Sequence, residues 1–381
     1  MRSRHGGFTL IEILVAVAIG LIGILVMTQA YLVGENFNRA TLGEGGAQTN
    51  GMLALFQIER DARMSGYGIA STEALNCGEL NWYYEGAYSP NITAGSTLAR
   101  VTVAPVLIAV TAGVPDRITV MYSNESERVL PAAVANINTA ASELGMDGSQ
   151  GYEVRDKVLL VSTSTAGRCA YGEVTVKVPA THRLTLGQEY NPKFNPVGWG
   201  SFPTGFGAGD LLINLGTTGP VVRTYSINNG KLRVTDDQLQ SATGGTQLDL
   251  VDGIVDLRAQ YGKDNGVDNG TLSAPSYTAG DGRLDQYSNT TPANANDWTQ
   301  VLSVRVAVLA RIGNYERPTS GPNCDATTVM PTWAGSRKID GTPDAPFAAI
   351  DIATPTSQDR CYRYRVFETT VPLRNMIWRL S

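Results

Sequence analysis

The chain has 381 residues, enough for one large domain or two small ones with a buried core. Charged residues make up only 17% of it while glycine occupies 41 positions, which with frequent Val, Thr and Tyr is the profile of a loop-rich β protein. The formal net charge is −5 and no run of Lys or Arg follows the first four residues, so no nucleic-acid partner is expected.

Residues 1–7 read Met-Arg-Ser-Arg-His-Gly-Gly, and residues 8–33, FTLIEILVAVAIGLIGILVMTQAYLV, are apolar with Glu12 as their only charge. At 1.5 Å per residue, about 20 residues cross the hydrocarbon of a bilayer, so 8–33 is predicted to be one membrane span. Arg2 and Arg4 place the short N-terminal flank in the cytoplasm. The expectation is a single-pass inner-membrane protein whose C-terminal body is periplasmic. A secretory signal is the rival reading. It would be cut behind the apolar region, where Thr28-Gln29-Ala30 loosely fits the small-x-small pattern, leaving Tyr31 first. Glu12 speaks against it, because an ionised carboxylate in lipid costs on the order of a few kcal/mol unless it is paired, neutral or reaching the interface.

Gly7-Phe8-Thr9-Leu10-Ile11-Glu12, after a short Arg-containing leader, resembles the class III signal of type IV prepilins and type II secretion pseudopilins. The resemblance implies that residues 1–7 are a leader, that a prepilin peptidase cuts between Gly7 and Phe8, and that Phe8 is then N-methylated. It also makes Glu12 the acidic fifth residue of the mature chain, with a role in assembly. Gly7 lets the backbone enter a narrow cleft, and a cut before the apolar segment leaves the span in place. In a fibre core Glu12 would be compensated by the amine of Phe8, its own or an adjacent subunit's, since a buried charge is tolerable only when paired. Loss of Arg2 and Arg4 with the leader takes the formal charge from −5 to −7, and loss of His5 leaves His182 as the single histidine.

The helix is expected to run on outside the membrane over 34–68, with a bend at Gly43, Gly45 and Gly46, each worth up to about 1 kcal/mol against helix. Met52, Leu55, Ile58 and Ala62 recur at helical spacing and are expected to face a sheet. Gly66 and Gly68 around Tyr67 should end the helix. Residues 69–381 then read as a β-rich globular domain. Ile118, Val120 and Tyr122 alternate with Thr119 and Met121, 158–161 are an apolar run, and Val255, Leu257, Ala259 and Tyr261 alternate with Asp256, Arg258 and Gln260. The clearest strand is 301–312, with Leu302, Val304, Val306, Val308, Ala310 and Ile312 on one face and Ser303, Arg305 and Arg311 marking the other. Residues 264–298 and 314–358 read as long surface loops. The fold class expected is α+β, pilin-like, with a long N-terminal helix packed on an antiparallel sheet.

Further segments carry a narrower resemblance. Ile58–Tyr67, Asp252–Asp264, Asp281–Tyr287, Val304–Arg311 and Tyr362–Asn375 are similar to the PilW family of type IV pilus minor pilins, whereas 70–250 match nothing beyond strand patterns. This implies a structural subunit of the pilus-tip complex that initiates assembly. Other minor pilins, the major pilin, the prepilin peptidase and the inner-membrane assembly platform would be its partners, and the fibre at the cell surface its destination. A type II secretion minor pseudopilin related to the J subunit, or a tip adhesin, is the alternative.

Cys77, Cys169, Cys324 and Cys361 have no Cys-x-x-Cys pair and no nearby His, which speaks against zinc. Outside the cytoplasm two disulfides are the natural reading. Four cysteines allow three connectivities, and pairing Cys77 with Cys169 and Cys324 with Cys361 closes each bond within its own half of the chain; free buried thiols are the alternative. Catalysis finds no support in a lone His182, with no Gly-x-Ser-x-Gly elbow, Walker A loop or dinucleotide fingerprint, so neither enzyme activity nor a cofactor is expected. Asp264, Asn265, Asp268, Asn269, Asp281 and Asp285 are oxygen-rich enough to suggest calcium, but EF-hand spacing from Asp264 puts Pro275 at the twelfth position. Trp82, Tyr83, Tyr84 and Trp199 are candidates for an adhesive surface.

Overall fold

The computed structural model describes residues 9–77, 79–84, 87–92, 103–111, 114–125, 127–189, 194–195, 205–236, 245–267, 278–318, 324, 326–328, 331–336 and 358–378. Helix α1 spans Leu10–Met64 in 55 residues. It stays helical through Gly43, Gly45 and Gly46, so the expected interruption there is not found. A few destabilising residues far from either end do not break a long helix, since each bond propagates on a nucleus already formed. The end falls as expected: Ser65 donates its hydroxyl to the Ala62 carbonyl at 2.7 Å, and Gly66 and Gly68 take the left-handed φ values of 79° and 73° that turn the chain away.

A short helix α2 (Thr72–Leu75) leads into the β body. Its strands, in chain order, are β1 (Glu79–Tyr84), β2 (Ala87–Ile92), β3 (Val106–Ala109), β4 (Arg117–Tyr122), β5 (Ala132–Asn138), β6 (Glu143–Met146), β7 (Lys157–Val161), β8 (Arg168–Glu173) and β9 (Val176–Val178). There follow β10 (Arg183–Thr185), β11 (Leu211–Asn214), β12 (Val221–Asn228), β13 (Lys231–Asp236), β14 (Thr246–Asp252), β15 (Ile254–Lys263), β16 (Gln286–Ser288), β17 (Val301–Arg311) and β18 (Tyr364–Pro372). Helices α3 (Ala295–Thr299) and α4 (Arg374–Ile377) flank the last two strands. Part of the stretch expected to be loop at 264–298 is thus ordered as β16 and α3.

Three sheets result: nine strands in the order β2-β1-β8-β7-β11-β5-β6-β10-β9, five in the order β14-β13-β12-β4-β3, and four in the order β16-β15-β17-β18. Their pairings are antiparallel except for β1 with β8. The extramembrane half of α1 lies on the four- and five-stranded sheets. Ala54, Leu55, Ile58 and Ala62 share one core with Ile118 and Val120 of β4, Leu257 and Tyr261 of β15, and Val304, Val306 and Val308 of β17. A second core joins the opposite face of the five-stranded sheet, through Met121 and Val222, to Leu159, Val161, Tyr171 and Ile213 of the nine-stranded sheet. Strand β4 is therefore buried on both faces, which is why Met121 does not alternate out to solvent.

Two side chains sit elsewhere than their spacing suggested. Met52, placed by periodicity on the core stripe, is 56% exposed, and Ala54 takes the inward position. Val255, placed on the Leu257 face, packs near Trp333 on the other face, because a register shift between Ile254 and Asp256 inverts the alternation at the strand's start.

Helix and sheet meet most closely at Gly51, where a Cβ would lie 2.2 Å from the Phe367 ring of β18. Alanine elsewhere in a helix is favoured over glycine by about 1 kcal/mol, but here the ring must move. Gly51→Ala is expected to destabilise the extramembrane domain by about 1–3 kcal/mol in urea denaturation, and Phe367→Ala should cancel most of that penalty in the double variant. A Gly51→Ala domain as stable as wild type would show that α1 does not lie this close to β18.

Candidate functional site

Two polar constellations lie at the ends of α1. At its start Thr9 is the N-cap: the Glu12 amide donates to Thr9 Oγ1 at 3.4 Å, while the Thr9 amide and hydroxyl both donate to Glu12 Oε2 at 3.3 Å. This reciprocal capping box satisfies helix-end donors and sets a carboxylate against the positive end of the helix dipole. Its Thr-x-x-Glu signature lies in plain view in the sequence beneath the membrane motif. From Leu10 to Glu35 follows one stretch long and apolar enough to cross a membrane, with none of its residues buried against the body.

At the other end α1 is seated by a buried carboxylate that no motif announced. Asp61, 1% exposed, accepts hydrogen bonds from Tyr225 Oη at 2.6 Å, from Arg223 at 3.0 Å and from Arg60 at 3.1 Å. Tyr225 and Arg223 project from β12 of the five-stranded sheet. Burial, reinforced by the Asp61 bond, pushes the Tyr225 hydroxyl well above its ordinary value. Burial pulls Arg223 down, but the bond and charge of Asp61 outweigh it and raise the guanidinium overall. The clasp is closed.

Residues 221–375 match the family model of the type IV pilus-assembly protein W, PilW, and residues 2–28 match the prokaryotic N-terminal methylation motif. Together the two matches support a PilW-family type IV pilin. The first match opens at β12, the strand that grips Asp61, and closes in α4; the second covers residues 2–28, which take in much of the apolar stretch of α1. The protein is accordingly a type IV pilus-related pilin with an N-terminal membrane anchor, of a family of structural subunits. No curated protein and no solved structure matches the chain.

The remaining predicted residues fall as follows in this pilin. Gly7 and Phe8 lie outside the described residues. Cys77 is joined to Cys169 and Cys324 to Cys361, the first bond tying the segment after α2 to β8 and the second holding the chain just before β18. Asp264, Asp281 and Asp285 come together, with one carboxylate oxygen from each within 4.8 Å of the others. Those carboxylates serve the loop backbone: Asp264 accepts from the Gly280 and Gly282 amides at 2.6 and 2.7 Å, and Asp285 from Gly266 at 2.7 Å. Asp268 lies outside the described residues, as do Asn269 and Trp199, while Trp82, Tyr83 and Tyr84 are described only as backbone of β1. His182 takes a left-handed φ of 51° behind a single 3-10 turn.

A second buried carboxylate joins two sheets. Asp116, at the entry to β4, accepts from the Ala259 amide of β15 at 3.0 Å and from Arg258 at 3.4 Å. Burial, the largest influence, raises its pKa from 3.8 to about 6 against those donors.

Two predictions follow from these carboxylates. Asp61→Ala removes the acceptor that Arg223 and Tyr225 share inside the helix–sheet interface, leaving them only the longer contacts to Asp236 and the Gln57 carbonyl, and is expected to cost about 3 kcal/mol, read as a lowered urea midpoint; an unchanged midpoint would show the clasp to be open. Asp116 is more easily protonated in the fold than in the unfolded chain. Its contribution is therefore complete below pH 3.8 and is lost as pH rises through about 6, a change of about 2–3 kcal/mol. Asp116→Asn should remove that fall and leave stability flatter between pH 4 and 7. A wild-type-like slope in the variant would assign the pH dependence to other groups.

Proposed function

We propose that this pilin is a minor subunit of the tip complex that primes type IV pilus assembly. In this reading its leader is cut after Gly7, its new N-terminus is methylated at Phe8, its span lies in the inner membrane and its β body faces the periplasm before entering the fibre. The observation that carries the reading is the joining, by one unbroken helix, of a prepilin methylation motif to a PilW body. Residues 1–7 are then the leader, 8–33 the span, 34–68 the helix above the membrane and 69–381 the globular domain. Partners are other minor pilins, the major pilin, the prepilin peptidase and the inner-membrane assembly platform. The role assigned to it is that of a structural subunit, mechanical and architectural.

Glu12 is assigned the role of pairing with the amine of Phe8, on its own or an adjacent subunit, where the fibre excludes water. The capping box supplies a competing explanation for the same residue, and two substitutions separate them. Glu12→Ala removes both the charge and the box; Glu12→Gln removes the charge but keeps a side chain able to complete a capping box. N-terminal sequencing of the wild-type protein and of both variants should begin at Phe8, with all three retained in the membrane. Recovery in sheared fibres should fall at least ten-fold for both. Recovery of the Gln variant at wild-type level would assign Glu12 to helix capping alone, and a chain beginning at Tyr31 would refute the pilin reading.

A further inference from the structure

The extramembrane half of α1 carries a second apolar stripe that its own body leaves uncovered. Met52 is 56% and Phe56 59% exposed, and Met64 lies further along the same side. Spaced at four-residue intervals through Arg60, these positions form one face. At its upper end the stripe meets α4, where Trp378 is 74% exposed, and the two elements enclose a groove lined by Phe56, Met64, Tyr67 and Trp378. A second groove continues past Tyr67 and Trp378 to Leu130 and Pro131. An aromatic and aliphatic floor of this kind on a soluble surface marks a contact site.

The rim is basic. Arg60, Arg63 and Arg374 border the groove against a single carboxylate of its lining, the half-buried Glu59, already bonded to Arg63 at 3.0 Å. Arg60 leans on Asp61, whose charge is shared with Arg223, and Arg374 forms no ion pair among the described residues. The surroundings of the groove are therefore positive on a chain whose net charge is −5, and the occupant they favour is an apolar helix bearing carboxylates.

A second copy of this chain fits poorly. Two copies held by identical spans in one membrane stand at equal height, so a parallel pair sets the three arginines of one rim against those of the other. The next acid down the helix is Glu44, 16 residues below Arg60, so self-pairing by opposite charge requires one copy to slide by about 24 Å. Glu44 already lies 3.7 Å from Arg365.

We infer that the α1–α4 groove is a docking surface for the extramembrane helix of a different pilin-type subunit. That helix lays apolar side chains on Phe56 and Trp378 and carries carboxylates about 27–30 residues above its span, level with Arg60 and Arg63. The inference rests on the reading of this chain as a fibre subunit. The basic rim selects the partner and disfavours self-association.

The test uses the full-length chain in cells that hold the complete assembly machinery, with a photo-crosslinking phenylalanine derivative in place of Phe56 or, in a second strain, Trp378. The expected product is one adduct, identified by mass spectrometry as another single-span subunit with a prepilin leader and acids at that height. Arg374→Glu should reduce it at least ten-fold, Arg374→Lys should keep it, and Arg60→Glu serves as a second reversal; disulfide formation reports that each variant folds. An adduct between two copies, an adduct indifferent to both reversals, or none at all would overturn the groove assignment. In the same samples an N-terminus at Phe8 shows that the pilin reading survives such a failure, whereas a different N-terminus overturns both.

Discussion

A helix of 55 residues whose first half has no protein around it is held in place by its second half alone. The apolar stripe of Ala54, Leu55, Ile58 and Ala62 supplies the attraction, at about 1.5–3 kcal/mol for each large side chain fully buried, but greasy contact tolerates sliding. Asp61 does not. A carboxylate in that interface is costly unless its oxygens are bonded, and the donors that meet it, Tyr225 and Arg223, are fixed on β12. Rotating α1 by one residue, about 100°, or shifting it by one rise breaks both bonds at once. The clasp thereby fixes the register between anchor and body, and with it the direction in which the body stands above the membrane.

From that seat the load path runs through the sheets. Tyr261 of β15, within the four-stranded sheet, accepts from the Ile108 amide at 2.8 Å and donates to the Val106 carbonyl at 3.3 Å, capping the edge strand of the five-stranded sheet. Asp116 makes the reverse connection to β15. The five-stranded sheet then shares the second core with the nine-stranded one, where Cys77–Cys169 ties the exit from α1 and α2 to β8. On the proposed reading the subunit is pulled by its helix, and these cross-links then matter more than their modest separate energies. Each prevents one layer from peeling off the next.

What could be read in the sequence was whatever depends on local periodicity or on a contiguous motif. The span, the strands at 254–263 and 301–311, and the helix end at Gly66 all express a single period or a backbone requirement. Met52 and Val255 show where that logic stops: the first lies at the margin of a stripe whose centre only the sheet contact defines, and the second precedes a bulge that no spacing reveals. Asp61 was visible only as one charge in a charged run, Glu59-Arg60-Asp61, because its partners stand more than 160 residues away. The Thr9-x-x-Glu12 capping box is legible in the same letters that make up the membrane motif. The oxygen-rich composition of 264–285 is legible, but that Asp264, Asp281 and Asp285 meet, with Asp264 accepting from glycine amides, is a property of the folded loop alone.

The double meaning of Glu12 bears on how such a subunit leaves the membrane. In the single chain its carboxylate is engaged by Thr9 and faces the positive end of the helix, so the isolated anchor carries no orphan charge. Pairing with an amine in a fibre, on the proposed reading, competes with this local arrangement, whose loss costs about 0.5–2 kcal/mol. Two opposite charges gain far more than that where water is excluded and little where it is not. On that reading the same carboxylate is satisfied locally while the subunit waits and becomes available to a neighbour only as the fibre closes around it. A permanently unpaired acid at this position would penalise the waiting subunit, and a neutral residue would give the assembling one nothing to gain.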